Sequence, residues 1–315
     1  MNETQALMRF DFNQWSADHR LTIESHLDRW VPRRPGRAAP VGVQTLHEAM
    51  RYAVLDGGKR VRPLLTLAAC ETVGGDVQLA MRAACSVELI HAYSLVHDDM
   101  PCMDNDVLRR GKPTVHVKYG QAQALLAGDA LQALAFELLT PEDDAMGSAL
   151  QARLCRTLAK AAGSLGMAGG QAIDLASVGL PLTAKQLHEM HGLKTGALLQ
   201  ASVLMGAHCG TATGPALRAL QDFGSAVGLA FQVVDDVLDV TADSAALGKT
   251  SGKDAAQDKP TFVSLMGLQA ANVYAQQLLA QAMSSLDNLQ THSSHDACNT
   301  DALRAMADML VNRQH

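Results

Sequence analysis

Aspartate is gathered at two places in this 315-residue chain, "HDDMPCMDNDVLRRGKPT" at 97–114 and "FQVVDDVLDV" at 231–240. In the second stretch Gln232, Asp235, Asp236 and Asp239 fall at i, i+3, i+4 and i+7. On a helix they form one polar line, which the small residues Gly228 and Ser225 continue. Like charges four apart repel, so the line calls for a compensating cation. In the first stretch Asp98 and Asp104 are about 240° apart round a regular helix and would not share a face. Pro101 removes that objection. It cannot continue the backbone ladder, so the helix should end near Asp98 and Asp99 and let Asp104 fold back. His91 and Ser94 precede Asp98 on its own helix face, His91 roughly 10 Å away.

Carboxylates on two helices, without a set of His or Cys ligands, fit a hard divalent cation. Mg²⁺ is held through one or two carboxylates, waters and substrate phosphates rather than in an all-protein cage. The basic residues then read as phosphate partners. "GGKRVRP" sets Lys59 and Arg62 ahead of a helix with Pro63 in its first turn, where helix N-terminus and side chains both receive an anion. Arg109, Arg110, Lys194, Lys249, Lys253 and Lys259 add candidates. Neither "LGKT" nor "GGKR" is a nucleotide-binding loop. Asp243 stands where the first needs a glycine, and Arg60 follows Lys59 where Ser or Thr is needed.

These groups must be carried by helices. Hydrophobic residues make up 48% of the chain and aromatic residues only 4%, which favours Ala- and Leu-rich helices over strands, so the expected class is all-α. Leu220, Phe223, Val227, Phe231, Val234 and Leu238 recur at steps of three and four, predicting one buried stripe opposite the aspartate line. A first helix over about 10–30 and the linker "PRRPGRAAP" at 32–40 precede the body. "TVGGD", "LTPEDDAMG", "SVGLPLT" and "GTATGPA" divide it into helices, and "LQTHSSHDACNTD" reads as a loop before a last helix.

A net charge of −6 excludes a general nucleic-acid surface. The six cysteines (Cys70, Cys85, Cys102, Cys155, Cys209, Cys298) form no CxxC pair and read as small apolar residues of a reducing compartment. The N-terminus lacks the apolar core of a signal peptide. No uninterrupted apolar run approaches the roughly 20 residues that span a bilayer. A cytoplasmic, soluble protein is the expectation.

"DDMPCMD", "VLRRGKPT" and the preceding "GGKRVRP", followed in order by "GGQAIDLA", "KTGALL", "FQVVDDVLDV", "LGK" and "DKPTF", resemble the bacterial short-chain trans-isoprenyl diphosphate synthases, and among them the farnesyl diphosphate synthases. The resemblance runs over about 45–310. It implies a single domain over 1–315 with a variable N-terminal helix and linker at about 1–42. The implied fold is an orthogonal bundle of long helices around a deep cavity, usually homodimeric. Asp98, Asp99 and Asp104 match the family's first aspartate-rich motif and Asp235, Asp236 and Asp239 its second; about three Mg²⁺ held there on the allylic diphosphate is what the resemblance implies. It likewise implies that Arg109, Lys194 and Lys249 grip that diphosphate and that Thr195 and Gln232 turn oxygen dipoles to the developing cation. Lys59, Arg62, His91 and Arg110 match positions that hold isopentenyl diphosphate.

Each motif also has a plainer reading. His91 alone would be a satisfied core histidine, and His97 is read as structural. Gln171 and Asp174, in "GGQAID", are read as packing support, and Lys253 and Lys259 as loop charges. Tyr93 and Ser94 match positions that floor the chain pocket; the bulk of Tyr93 favours a C15 product, farnesyl diphosphate, over the C10 geranyl or C20 geranylgeranyl alternatives. A class I terpene cyclase is disfavoured by the intact "DDVLD" and "GGKRVRP". A non-catalytic partner subunit is disfavoured because both acidic motifs are present.

Overall fold

The computed structural model describes residues 10–36, 38–55, 57–142, 146–212, 214–241, 260–292 and 298–313. Lys249, Lys253 and Lys259 lie outside the described residues, as do residues 293–297 of the loop predicted near 295, whose first four residues are helical instead.

The described chain is helical apart from one two-residue hairpin. In order come α1 (Phe12–Trp30), α2 (Val41–Val54), α3 (Val61–Thr72), α4 (Val77–Asp98), β1 (Leu108–Arg109), β2 (Lys112–Pro113), α5 (Val115–Tyr119) and α6 (Gln121–Leu139). There follow α7 (Ser148–Ala162), α8 (Met167–Ala176), α9 (Ala184–His191), a π-helical turn (Gly192–Gly196), α10 (Ala197–His208), α11 (Pro215–Thr241), α12 (Phe262–Met266), α13 (Leu268–His292) and α14 (Asp301–Val311).

Local chemistry sets several boundaries. Asp11 caps α1 by accepting from Gln14 N at 3.0 Å, and Asp76 caps α4 by accepting from Gln78 N at 2.8 Å. Thr183 and Gln186 form a capping box on α9. α3 starts differently. Its first flanking residue, Arg60, has φ +49° and is buried against Glu88 Oε1 (2.6 Å), Glu24 Oε1 (2.7 Å) and Val54 O (2.6 Å). That anchor fixes where Lys59 and Arg62 stand on either side of it. The hairpin, outside the all-α expectation, pairs Leu108 with Pro113 and Arg109 with Lys112. Its two central residues, Arg110 (φ +52°) and Gly111 (φ +75°), have the positive φ that a two-residue type I′ turn requires.

Central helices carry the core. α4 packs on α3 and α6, α10 on α3 and α11, and α11 on α13. One apolar cluster gathers Leu65, Leu89, Leu131, Leu199 and Phe223; a second joins Leu187, Val233, Val237, Phe262 and Leu278 behind the end of α11. α4 and α6 are long and apolar enough, by length and composition, to cross a membrane, which a search for uninterrupted apolar runs does not register. α4 is mostly buried, between α3 and α6, whereas α6 packs on α4, α2 and α5 and leaves more than half of its apolar stretch uncovered.

The single buried stripe predicted for α11 is wider than expected. Val233, Asp236, Val237 and Asp239 are buried as fully as Val227 and Val234, because helices press on α11 from several sides. Phe231, assigned to the stripe, instead lines the cavity beside Asp235.

Candidate active site

The C-terminal end of α4, the start of α3, the hairpin, α8, the π turn and the middle of α11 enclose a cavity of about 530 Å³. Arg62, His91, Tyr93, Ser94, Asp98, Arg109, Arg110, Lys194, Thr195 and Asp235 all line it, so residues from both ends of the sequence pattern meet in one place.

The first acidic turn is folded as Pro101 requires. α4 stops at Asp98, and Asp104 N then donates to Asp98 O at 2.9 Å, with Asn105 in the left-handed region at φ +52°. Asp104 is thereby returned to the end of α4. Burial pushes the Asp98 carboxyl up to about 6, with Lys194 opposing and Asp104 reinforcing the shift. Asp99 is buried and held by Arg109, whose Nε lies 2.9 Å from both carboxylate oxygens and whose Nη2 lies 2.5 Å from Oδ1.

The second acidic line does not present all its members alike. Asp235 lines the cavity and accepts from Arg313 Nη2 at 2.6 Å. Asp236 is 2% exposed: it accepts from Gln232 Nε2 at 2.8 Å and from the Phe262 backbone N at 2.8 Å. Asp239, 5% exposed, has an Oδ1 with no hydrogen-bond partner among the described residues. Nor do three His, Cys, Asp or Glu side chains converge as a preformed metal cage among those residues. Of the six predicted ligands Asp98 and Asp235 line this cavity, and Asp99, Asp235 and Asp236 are hydrogen-bonded to the protein groups named above.

Basic groups stand among these carboxylates. Burial holds the His91 imidazole well below its ordinary range, and Arg62, Arg110, Arg109 and Arg60 push it the same way. At neutral pH His91 thus offers one N–H donor and no charge. Burial lowers Lys59 too, Arg313 and Arg110 adding to the effect while Asp235 opposes it. Arg62 Nε is buried with no hydrogen-bond partner among the described residues. Arg110 donates to Gly57 O at 2.6 Å and crosses so close to Gly58 that a Cβ there would meet Nη1 at 2.6 Å.

Backbone contacts fix the third wall. A Cβ on Gly170 of α8 would sit 2.1 Å from Lys194 N, and one on Gly228 of α11 would sit 2.8 Å from Gly196 Cα. The glycines let α8 and α11 close on the π turn, a local widening of the helix that recurs at functional sites. There Lys194 Nζ reaches Asp174 Oδ2 at 2.5 Å and Thr195 Oγ1 donates to Gln232 Oε1 at 3.0 Å. Asp174 therefore orients Lys194.

Two groups, Arg313 and His191, escaped the sequence reading, and a third, Gln171, was read only as packing support. Arg313, the last described residue, holds two residues of the cavity lining: besides Asp235 it donates to Phe231 O at 3.1 Å, and its guanidinium lies 4.0 Å from the Phe231 ring centroid. Its signal in sequence is weak, a lone arginine after an apolar helix. His191 is buried at 4.0 Å from Asp236 Oδ2, and burial lowers its imidazole to about 4. Gln171 lines the cavity with neither end of its amide partnered among the described residues, which packing support does not explain. His97 is structural in part, as expected: its Nε2 lies 3.1 Å from Leu125 O and packs where a Cβ on Gly128 would stand, and its ring also borders the cavity.

The chain belongs to the polyprenyl synthetase family, whose pattern it matches over residues 43–299. It is 43% identical to geranylgeranyl pyrophosphate synthase 4 of Arabidopsis thaliana over 309 residues, covering 97% of this chain and 79% of that protein. Among solved structures it is similar to an FPP/GFPP synthase from Zymomonas mobilis, with TM-score 0.83, 39% identity and coverage of 95% and 98% of the two chains. It is also similar to a geranyltransferase from Helicobacter pylori complexed with magnesium and isoprenyl diphosphate, with TM-score 0.81, 35% identity and 97% and 98% coverage. The architecture is thus the all-α isoprenoid synthase bundle of long helices around a deep central cavity. The relatives do not single out farnesyl diphosphate synthase, to which the motifs were first compared; plant relatives named for geranylgeranyl diphosphate stand prominently among them.

Proposed function

We propose that this chain is a prenyl diphosphate synthase that condenses isopentenyl diphosphate with allylic diphosphates, and that it elongates them to the C20 geranylgeranyl diphosphate. The observation that carries the reaction class is one cavity with cations (Arg62, Arg110, Lys194) and carboxylates (Asp98, Asp235) around a wall of Met167, Ala168, Ala172, Leu175 and Phe231. A diphosphate with a prenyl tail has that same division. The relatives named for geranylgeranyl diphosphate, at 43–46% identity over most of the chain, support the product length.

The donor set fits Mg²⁺. Asp239 Oδ1 is buried without a partner, and the raised Asp98 carboxyl would gain from a cation. Asp98, Asp99 and Asp104 would hold it from one side and Asp235, Asp236 and Asp239 from the other. Three ions per site, as the resemblance implies, belong to the same proposal. When bound, the metal would neutralise charge on the departing diphosphate.

The protein's own part is electrostatic. Arg109, Lys194 and, outside the described residues, Lys249 bind the allylic diphosphate; Lys59, Arg62, His91 and Arg110 bind the isopentenyl one. The allylic C1–O bond breaks and its electron pair leaves with diphosphate. The isopentenyl π pair forms the new C–C bond to C1, and the adjacent C–H pair becomes the new double bond as its proton passes to a diphosphate oxygen. Thr195 and Gln232 face the transient cation with oxygen dipoles, in a cavity that excludes competing water.

One observation favours a C15 product instead. Tyr93 is buried, stands edge-on to His97 at 5.7 Å and borders the cavity with Ser94, so its ring shortens the space for the tail. Mass spectrometry of products from isopentenyl diphosphate with dimethylallyl or geranyl diphosphate, with Mg²⁺ and with EDTA, decides both points. Metal-dependent C20 product is expected. A C15 product returns the floor to Tyr93, and the absence of any product refutes the reaction class. A homodimer belongs to this reading: α6 turns Leu125 and Leu126 outward, 47% and 49% exposed, and light scattering at twice the chain mass is expected.

A further inference from the structure

α8 lines the cavity with Met167, Ala168, Gln171, Ala172 and Leu175, which stand at i, i+1, i+4, i+5 and i+8 and so form one helix face. Gln171 is the only polar residue of the five. It is 9% exposed, and neither its amide oxygen nor its amide nitrogen has a partner among the described residues. Buried amides are ordinarily satisfied, and an exception calls for a ligand or a water.

The neighbours specify what such a ligand must be. Gln171 shares the cavity lining with Lys194 and Thr195, the groups proposed to take a diphosphate, and its own helix adds the apolar Met167, Ala172 and Leu175; Gly170 beside it packs on the Lys194 backbone. It thus stands between polar and apolar lining, as the carbon bonded to the diphosphate would. The other amide nearby is already engaged: Gln232 accepts from Thr195 and donates to Asp236. Gln171 keeps both ends.

Building on the prenyl diphosphate synthase reading, we propose that Gln171 is a further catalytic residue: its amide oxygen faces the allylic cation formed as the C1–O bond breaks, and its amide nitrogen donates to the departing diphosphate. A neutral amide suits that position. Its oxygen dipole stabilises positive charge that exists only after ionisation, and it is a poorer nucleophile than a carboxylate that could trap the cation as an ester.

The test compares wild type with Gln171→Leu and Gln171→Glu in steady-state kinetics with isopentenyl and geranyl diphosphates. Binding is measured by calorimetry for two unreactive probes, an ammonium analogue of the allylic cation bearing a diphosphate and the geranyl thiolodiphosphate. Gln171→Leu is expected to lower kcat about 100- to 1000-fold, the range for losing a preorganised dipole, with both KM values within threefold. Its affinity for the ammonium analogue is expected to fall at least about tenfold while thiolodiphosphate affinity stays within threefold. Gln171→Glu, which keeps an oxygen there, should bind the ammonium analogue at least as tightly as wild type, and it decides the matter if the Leu variant does not fold. Equal losses for both probes, or an unchanged kcat, would assign Gln171 to packing and overturn the proposal while the prenyl diphosphate synthase reading stands. A wild-type enzyme that makes no product would overturn both.

Discussion

Arg109 clasps Asp99 with Nε and Nη2 together, so a cation expected to hold diphosphate is bound to a carboxylate expected to hold metal. Two further ion pairs lie near the cavity, Lys194 on Asp174 and Arg313 on Asp235. In the ligand-free chain the site neutralises its own charges. Binding metal and diphosphate together lets the Arg109 and Arg313 pairs exchange partners, whereas either ligand alone must break a pair uncompensated. Cooperative binding of Mg²⁺ and allylic diphosphate follows.

Asp98 gives a pH signature. Its folded-state pKa of about 6 is above the ordinary 3.8, so between those values the folded chain keeps a proton that the unfolded chain has lost. The contribution is fully present below about pH 4 and is lost as pH rises through about 6. In EDTA, urea midpoints of wild type relative to Asp98→Asn should fall as pH goes from 4.5 to 7. A difference independent of pH refutes the shift. Turnover of Asp98→Asn should be nearly abolished at every pH.

Asp174→Asn tests the orienting role assigned to that carboxylate. Removing one partner of a buried pair costs about 3–5 kcal/mol; because the Lys194 side chain is 25% exposed, about 1–3 kcal/mol is expected by chemical denaturation. The freed ammonium also loses its fixed position, so KM for the allylic substrate should rise about tenfold while that for isopentenyl diphosphate holds. Equal effects on both substrates would mean general loosening.

Much of this arrangement can be read in the sequence because it depends on spacing within single elements. Pro101 announces the end of α4, and the i, i+3, i+4, i+7 series puts four polar groups on α11. What spacing cannot show is which of those groups tertiary contacts consume. Asp236 faces the Phe262 N–H contributed by a segment 26 residues later, and Phe231 is turned into the cavity because α11 is buried on several sides at once. Arg313 lies 78 residues from Asp235 and carries no motif. The π turn is equally silent: its widened geometry comes from Gly170 and Gly228 closing on it, not from the propensities of "GLKTG".

Arg313→Ala removes the bond to Asp235 and the cation over Phe231. Half-saturation by Mg²⁺, read as protection against thermal unfolding, should occur at about threefold lower concentration, since a competing cation is gone. Stability without metal should fall by about 1–2 kcal/mol. Weaker Mg²⁺ binding would instead show that Arg313 arranges Asp235 for the metal.

Two glycine substitutions should differ in kind. Gly128→Ala meets the His97 ring, whose side chain can turn aside, and should cost about 1–3 kcal/mol with activity retained. Gly170→Ala meets the backbone of Lys194 at 2.1 Å. It should cost more and lower kcat at least about a hundredfold by displacing the π turn, as circular dichroism and steady-state kinetics on the two proteins would show. Similar behaviour of the two variants refutes the backbone contact.

Because Gly170 and Gly228 bring α8 and α11 into main-chain contact with the π turn, no side chain cushions the meeting of these elements. They cannot slide or tilt independently, and their amides should exchange with deuterium as one cooperative unit. Among the described residues this junction is then a rigid floor under Lys194 and Thr195, so a substitution in the tail pocket beside Tyr93 can act without moving them.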